Sequence, residues 1–77
     1  MEYSKRFLET CRKLGKNVKK FREEKGMTIN ELAEKTGLRK EYLKKIEEGK
    51  AYGVLLEKHL LKIAKGLNVK LSVLLNF

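Results

Sequence analysis

Apolar residues recur at steps of three and four along almost the whole chain, and no proline interrupts them. The first series has consecutive steps of four, four, three, four and three, formed by Tyr3, Phe7, Cys11, Leu14, Val18 and Phe21. Because an α-helix turns once in about 3.6 residues, these steps keep the apolar side chains on one helical face. A half-buried β-strand would need sustained alternation, and we find no such pattern. The sequence therefore predicts an all-α protein.

Glycines and polar capping residues divide this helical pattern into segments. Ser4 is a candidate N-cap of the first helix, and Gly15 is predicted to interrupt it, so that a second helix begins directly afterwards. Gly26 is placed to end the second segment as a C-terminal cap. Thr28 follows as an N-cap with Glu31 three residues later, which is the spacing of a capping box. The first helix is thus expected to be a separate N-terminal extension.

The second half of the chain continues in the same way. Gly37 and Gly49 bound a short helix over about residues 39–48. A loop leads to a further helical stripe that Asn68 ends, formed by Leu56, Leu60, Ile63, Ala64 and Leu67. The apolar residues from Leu71 to Phe77 predict a last short helix. In total we expect five or six short helices joined by tight turns.

The 77 residues carry a formal net charge of +9, which is unevenly distributed. Residues 1–22 hold eight cations and two acids, residues 23–48 hold six and seven, and residues 49–77 hold five and one. Clustered cations attract nucleic-acid phosphates and release counterions. Small lysine-rich proteins can also be basic merely because charge keeps them soluble. Net charge alone therefore does not decide between the two.

The chain lacks the residues that several classes of protein would need. Cys11 is the only cysteine, so no disulfide can form within the chain, as is typical of the reducing cytoplasm. Cys11, expected to be buried, and His59, expected to be exposed, are too few for a zinc site and lack a catalytic motif. No apolar run is long enough to span a membrane, and no signal peptide is evident. We therefore predict a cytoplasmic protein that is not an enzyme and has no cofactor or metal.

A stretch in the middle of the chain has the spacing of two helices that cross closely around a tight turn. Counted from Ile29 as the first position, Ala33 is the fifth and Gly37 the ninth. A small fifth residue lets the helices approach, and glycine adopts a left-handed backbone at the ninth without strain. Leu43 and Ile46, at the fifteenth and eighteenth positions, point back into the core. This is the helix-turn-helix pattern.

The string LGKNVKKFREEKGMTINELAEKTGLRKEYLKKIEEGK, followed by LLKIAKGLNV, resembles the Cro and phage-repressor family, also called the XRE family. Thr36, where an aliphatic residue is commoner, is a mild departure. The resemblance implies one five-helix, lambda-repressor-like DNA-binding domain over residues 1–77, with an N-terminal helical extension over about 1–14 and its helix-turn-helix at about 28–48. It also implies a homodimer on a palindromic double-stranded DNA operator, with the helix over about 39–48 in the major groove. The chain is similar to small controller proteins of restriction–modification systems, and small prophage repressors fit almost equally well.

We call the helix over about 39–48 the recognition helix. Four of its side chains fall where the family usually contacts base edges, namely Lys40, Glu41, Lys44 and Lys45. Helical spacing places them with Glu48 on the side opposite Leu43 and Ile46. Lysine can donate to guanine and glutamate can accept from the cytosine amino group, so an operator containing G·C pairs is predicted. A merely solvated helix face would show the same pattern, and the glutamates dilute its positive charge. This alternative stays open.

Five further residues are candidate phosphate contacts, namely Thr28, Asn30, Arg39, Lys50 and Tyr52. Thr28 and Asn30 lie at a helix N-terminus, where backbone amides can bind phosphate. The family often has glutamine at the position of Ile29, which cannot make that contact. Arg39 stands where the family favours a Ser or Thr cap, so we expect it to contact phosphate instead. The loop after the recognition helix departs from the family in lacking its usual proline and being about two residues longer.

The resemblance assigns two structural sets of residues. Arg22 and Glu47 are expected to form a salt bridge that fixes the angle of the recognition helix, because an unpaired inward carboxylate would cost roughly several kcal/mol. A helical dimerisation segment is expected over about residues 68–77, with contacts from Leu71, Leu74, Leu75 and Phe77. The alternative is that some of these apolar side chains complete the core of the monomer.

Together these features predict a sequence-specific, double-stranded DNA-binding transcriptional regulator that acts as a repressor. The alternative is an antitoxin-like or other protein-interaction module of the same fold, which would hold a protein partner. A non-specific basic nucleic-acid binder is a third hypothesis, and the sorted charges of the recognition helix argue against it. The sequence does not reveal the operator, an effector, the sign of regulation or the role of the N-terminal extension.

Overall fold

Five α-helices follow one another in the computed structural model, which describes residues 3–51 and 57–77. They are α1 (Lys5–Glu24), α2 (Ile29–Thr36), α3 (Lys40–Glu47), α4 (Glu57–Leu67) and α5 (Leu71–Leu74). No strand occurs within the described ranges, so the all-α prediction is confirmed. None of the helices in these ranges is both long enough and apolar enough to cross a membrane.

The first helix runs through Gly15 without interruption, so the predicted break at this residue is wrong. The Ser4 hydroxyl caps the helix as expected, accepting a hydrogen bond from the Phe7 amide at 3.1 Å. Gly15 lies inside the helix because α1 and α3 approach closely there. A Cβ on Gly15 would lie 2.7 Å from the carbonyl oxygen of Glu47, closer than such atoms can pack. This glycine therefore permits helix contact rather than ending a helix.

The central pair of helices agrees with the predicted bounds to within one residue. The capping box of α2 is present, since the Thr28 hydroxyl accepts from the Glu31 amide at 3.1 Å and the Glu31 carboxylate accepts from the Thr28 amide at 2.9 Å. Gly37 ends α2 with a left-handed φ of +72°. Gly49 follows α3 with a φ of +74°. Both helices are therefore bounded by local signals that are visible in the sequence.

Asn68 directly follows α4, and its left-handed φ of +57° ends that helix as predicted. The inner face of α4 consists of the predicted residues Leu60, Ile63, Ala64 and Leu67, of which Leu60 is half-buried and the others are buried. Leu56, the first residue of the predicted stripe, lies outside the described residues. The α5 helix spans only Leu71–Leu74 and is shorter than the predicted helix, which extended to Phe77.

A single hydrophobic core unites the five helices. Its largest buried side chains are Val18, Leu32, Leu43, Ile46, Ile63, Leu67 and Leu74, none more than 2% exposed. Burying each such side chain contributes about 1.5–3 kcal/mol. The α1 helix packs against α3, α4 and α5, and α2 packs against α3 and α4. As a result, α3 is held by both α1 and α2, and the side of α3 that carries Lys40, Lys44 and Lys45 is exposed to solvent.

Candidate nucleic-acid interface

Charged side chains form the outer face of α3. Lys40, Glu41, Lys44, Lys45 and Glu48 are all exposed. On the opposite face, Leu43 and Ile46 are 0% and 2% exposed. The separation expected from helical spacing is therefore present, and the four predicted base contacts point away from the core together. Their contact with base edges stays a prediction.

The turn between α2 and α3 sets the direction in which this face points. The Gly37 amide donates to the Ala33 carbonyl at 2.9 Å while the glycine itself takes the left-handed conformation. The buried Thr36 hydroxyl donates to the Leu32 carbonyl at 2.8 Å and accepts from the Leu38 amide at 3.2 Å. Thr36, which departs from the usual aliphatic residue, is thus satisfied by hydrogen bonds that tie the turn to α2.

The predicted ion pair between α1 and α3 is present. Arg22 Nε donates to Glu47 Oε2 at 2.7 Å and Arg22 Nη2 donates to Glu47 Oε1 at 3.0 Å. The two side chains are 13% and 7% exposed. Their hydrogen bonds raise the pKa of the Arg22 guanidinium. Arg22 Nη1 also donates to the Met27 carbonyl at 2.8 Å, so one side chain joins α1, the α1–α2 turn and α3.

The start of α2 differs from the prediction in one respect. Thr28 was expected to offer its backbone amide to a phosphate, but the Glu31 carboxylate already accepts that hydrogen bond. The same bond lowers the pKa of Glu31, whose carboxylate is negatively charged at neutral pH. The capping box does not use the amides of Ile29 and Asn30. A phosphate at this end would therefore depend on those two amides.

Residues from three helices line one open groove beside α3. They are Lys19, Arg22, Met27, Thr28, Ile29, Lys44, Glu47 and Glu48. The groove brings together Thr28 and Lys44, which were predicted to contact phosphate and base respectively. It also contains Lys19 of α1, which the sequence did not single out. The interface candidate thus includes a part of α1 as well as the helix-turn-helix.

The other candidate phosphate contacts lie near the two ends of α3. Arg39 is the N-cap of α3 through its backbone, and its exposed side chain makes no capping hydrogen bond. Asn30 and Lys50 are exposed as well. The Lys50 amide donates to the Lys45 carbonyl at 2.8 Å, which places Lys50 directly at the end of α3. Tyr52 lies outside the described residues.

A contact between Tyr42 and His59 was not expected from the sequence. The Tyr42 hydroxyl lies 2.8 Å from His59 Nδ1, and the two rings meet edge to face with centroids 5.1 Å apart. The prediction that His59 is exposed is wrong, because it is half-buried against α3. Nothing in local spacing relates two residues that stand 17 positions apart. The contact joins α4 to α3.

The C-terminal residues divide between the core and the surface. Leu74 is 0% exposed, so its predicted role in a dimer interface is wrong, and it completes the core of the monomer. Leu71 is half-buried and packs against the same core. Leu75 and Phe77 are 40% and 48% exposed. Only these two of the four predicted contacts offer a large apolar surface outside the monomer.

Cys11 and His59, the remaining residues with reactive side chains, have structural roles. Burial raises the pKa of the Cys11 thiol, which makes it a poor nucleophile. His59 is engaged with Tyr42. In the described part of the chain, no three His, Cys, Asp or Glu side chains come together as metal ligands would.

Five helices with a glycine turn between α2 and α3, and an outward cationic face on α3, define a helix-turn-helix domain. The Helix-turn-helix family model HTH_3 matches residues 18–74, and the chain belongs to this family, which is of the XRE type. The predicted resemblance is therefore confirmed. The family consists of DNA-binding transcriptional regulators rather than enzymes.

Known proteins resemble the chain in sequence and in structure. The HTH-type transcriptional regulator SinR of Bacillus licheniformis is 38% identical over 63 residues, which are 82% of this chain and 56% of SinR. SinR of Bacillus subtilis (strain 168) is 50% identical over 34 residues, or 44% of this chain and 31% of SinR. The crystal structure of the restriction-modification controller protein C.AhdI from Aeromonas hydrophila has a TM-score of 0.77 and 26% identity, covering 83% of this chain and 94% of that one. The chain therefore spans only about half the length of the first of these SinR proteins and about a third of the length of the second.

Proposed function

We propose that this protein is a sequence-specific DNA-binding transcriptional regulator that inserts α3 into the major groove. The observation that carries the proposal is the exposed charged face of α3 on a helix-turn-helix scaffold. The glycine turn and the Arg22–Glu47 pair hold that face in one orientation relative to α1 and α2. The relatives named as transcriptional regulators and as a controller protein support this function. Such a protein acts where bacterial DNA lies, in the cytoplasm.

Base contacts are assigned to Lys40, Glu41, Lys44 and Lys45, whose exposed ends differ in chemistry. Three ammonium groups donate hydrogen bonds, which suits the O6 and N7 acceptors of guanine. The Glu41 carboxylate accepts, which suits the cytosine amino group. Each good contact is worth about 1–3 kcal/mol of discrimination against a wrong base. A site with G·C pairs is therefore the expected target.

Backbone contacts are assigned to the groups around this face. Arg39 and Lys50 lie at the two ends of α3 and are exposed. At the start of α2, the amides of Ile29 and Asn30 are available to a phosphate. These contacts would orient the domain on the duplex without reading its sequence.

The contact that would form a homodimer is assigned to the C-terminal residues. Val73, Leu75 and Phe77 are 43%, 40% and 48% exposed, an unusual concentration of apolar surface for three residues out of the last five. A two-fold contact between such ends would present two recognition helices to the half-sites of a palindromic operator. Bound over a promoter, the dimer would act as a repressor.

A protein-interaction module is the second candidate function, and the N-terminus favours it. Tyr3 and Phe7 are 45% and 38% exposed, and their rings lie 5.2 Å apart. Exposed adjacent aromatic rings are common in protein interfaces. Such a module would bind a partner through this end and would show no preference for a DNA sequence.

Selection from a random duplex library, followed by retesting of the enriched site at two salt concentrations, tests the proposal. We expect an inverted repeat with half-sites about one helical turn apart, and a dimer in sedimentation or light scattering. Lys45→Gln should relax the preference at one base pair, whereas Lys62→Gln on the exposed part of α4 should not. Failure to enrich any site would refute the proposal and favour the second candidate.

A further inference from the structure

The continuous first helix aligns three cations that a helix break would separate. Arg12, Lys16 and Lys19 stand four and three residues apart, so they lie along one side of α1. All three are exposed. At about 1.5 Å per residue, Arg12 and Lys19 are about 10 Å apart along the helix axis. We call these three residues the α1 strip.

The α1 strip borders the recognition helix. At one end, Lys19 lines the open groove that Lys44 and Glu48 also line. At the other end, Arg12 lines a second groove with Gly49 and Lys50, just beyond α3. The helices are close here, since a Cβ on Gly49 would lie 2.8 Å from the Arg12 Cα. The strip thus continues the charged edge of α3.

Among the described residues, no carboxylate forms an ion pair with the strip. Throughout residues 3–51 and 57–77, Arg22–Glu47 is the only pair of opposite charges within 4.0 Å. Glu9 lines a shallow groove with Arg12 and Lys16, and Glu48 lines the grooves that contain Lys19 and Arg12, but neither carboxylate reaches ion-pair distance. A row of unpaired cations beside a DNA-reading helix is suited to the phosphates that border the groove.

We propose that the α1 strip binds backbone phosphates of duplex DNA at the edge of the major groove that α3 occupies. This inference rests on the proposed function and extends the DNA interface from the helix-turn-helix to the first helix of the chain. The strip supplies affinity and orientation, while sequence discrimination stays with α3. An acidic protein surface is the competing partner, and the experiment below separates the two.

The test compares two double variants of the full chain that change charge equally. Arg12→Gln/Lys19→Gln removes both ends of the strip. Arg6→Gln/Lys20→Gln removes an arginine and a lysine from another side of α1, and both residues are exposed. Binding to the selected duplex and to a scrambled duplex is measured by fluorescence anisotropy between about 0.05 and 0.3 M salt, a range over which phosphate contacts change affinity strongly. Circular dichroism verifies that each variant is folded.

The strip variant should lower the slope of log K against log salt by about 1.8, because two phosphate contacts are lost. At 0.1 M salt this corresponds to a loss of affinity of up to about 60-fold. The loss should be the same on both duplexes, so the ratio of specific to non-specific binding is preserved. The control variant should keep nearly the wild-type slope.

Equal slopes for the two double variants would overturn the inference, and binding of the strip to an acidic protein would then be the better hypothesis. A strip variant that loses sequence preference rather than overall affinity would also overturn it. If the wild-type protein does not prefer the selected duplex, the proposed function fails. The strip is still judged in that case, by the difference in slope between the two variants on the scrambled duplex.

Discussion

Replacing Arg22 by methionine should be among the most damaging single changes in this protein. Glu47 would keep its carboxylate at a site where its side chain is 7% exposed, and it would lose both hydrogen bonds from the guanidinium. Leaving one partner of a buried ion pair alone costs about 3–5 kcal/mol. The Met27 carbonyl would lose its 2.8 Å hydrogen bond as well and be left unsatisfied, at about 1–3 kcal/mol.

This loss is large relative to the stability of a small domain, which is about 0.05–0.15 kcal/mol per residue. For a domain of this size each kcal/mol lowers the melting temperature by about 4–8 °C. We therefore expect Arg22→Met to melt at least about 15 °C below the wild type. Arg6→Met is the matched control, because Arg6 is exposed on the same helix and should change stability by less than about 0.5 kcal/mol.

A double variant separates the buried charge from the other effects of the substitution. Arg22→Met/Glu47→Met removes both charges, so the uncompensated carboxylate disappears and most of the lost stability should return. What remains is the unsatisfied Met27 carbonyl, at about 1–3 kcal/mol. Urea denaturation followed by circular dichroism measures all three variants under identical conditions.

DNA binding provides an independent readout of the same pair. The double variant has the wild-type net charge, so its salt dependence should be unchanged, but α3 is no longer fixed to α1 by the bidentate contact. We expect a weaker preference for the selected operator over a scrambled duplex. A single variant as stable as the Arg6→Met control, or a double variant no more stable than Arg22→Met, would refute the reasoning.

Three further changes test other parts of the structure. Gly15→Ala should destabilise the fold by about 1–3 kcal/mol in urea denaturation, although alanine favours helices, because its methyl group would meet the backbone of α3; a gain in stability would contradict the close helix contact. The pKa of Glu31 is lowered by the hydrogen bond from the Thr28 amide. The ionised carboxylate therefore stabilises the fold above the pKa that glutamate has in the unfolded chain, about 4.3, and this stabilisation is lost as the pH falls through the lower pKa of the folded protein. Wild-type stability should therefore fall more steeply than that of Glu31→Gln below about pH 5, and identical pH profiles would rule this out. Asn17→Ala removes side-chain hydrogen bonds to the carbonyls of Leu74 and Asn76, at 2.9 and 3.3 Å; amide exchange in residues 74–76 should accelerate while α2 and α3 stay protected, and unchanged exchange would show that other contacts hold this end.

Much of the helical framework could be predicted because its signals are local. The capping box of Thr28 and Glu31 involves residues three apart, and the left-handed turn at Gly37 depends on a single residue. The two faces of α3 follow from the helical period alone. Family resemblance added the partner of Glu47, which local spacing could not have identified. The bounds of α2 and α3 and the sorting of charges on α3 were therefore accessible without a structure.

The predictions that were wrong concern residues whose surroundings are formed by other helices. In the sequence, Gly15 looks like the end of a helix. In the structure, its lack of a side chain allows α3 to pack closely against α1. Leu74 looks like an interface residue until α5 turns it into the core, and His59 looks exposed until α4 places it against Tyr42. The predicted break at Gly15 also concealed the α1 strip, since Arg12 and Lys19 share a side only if the helix between them is continuous.

The sequence by itself determined that the chain is helical, where the turn at Gly37 falls and which charges face outward from α3, because interactions over three to four residues decide these features. Only the tertiary structure decided which glycine permits a helix crossing, which leucine is buried and which cations border the recognition helix. These features depend on distances between residues far apart in the chain, and such distances are set when all five helices pack around one core.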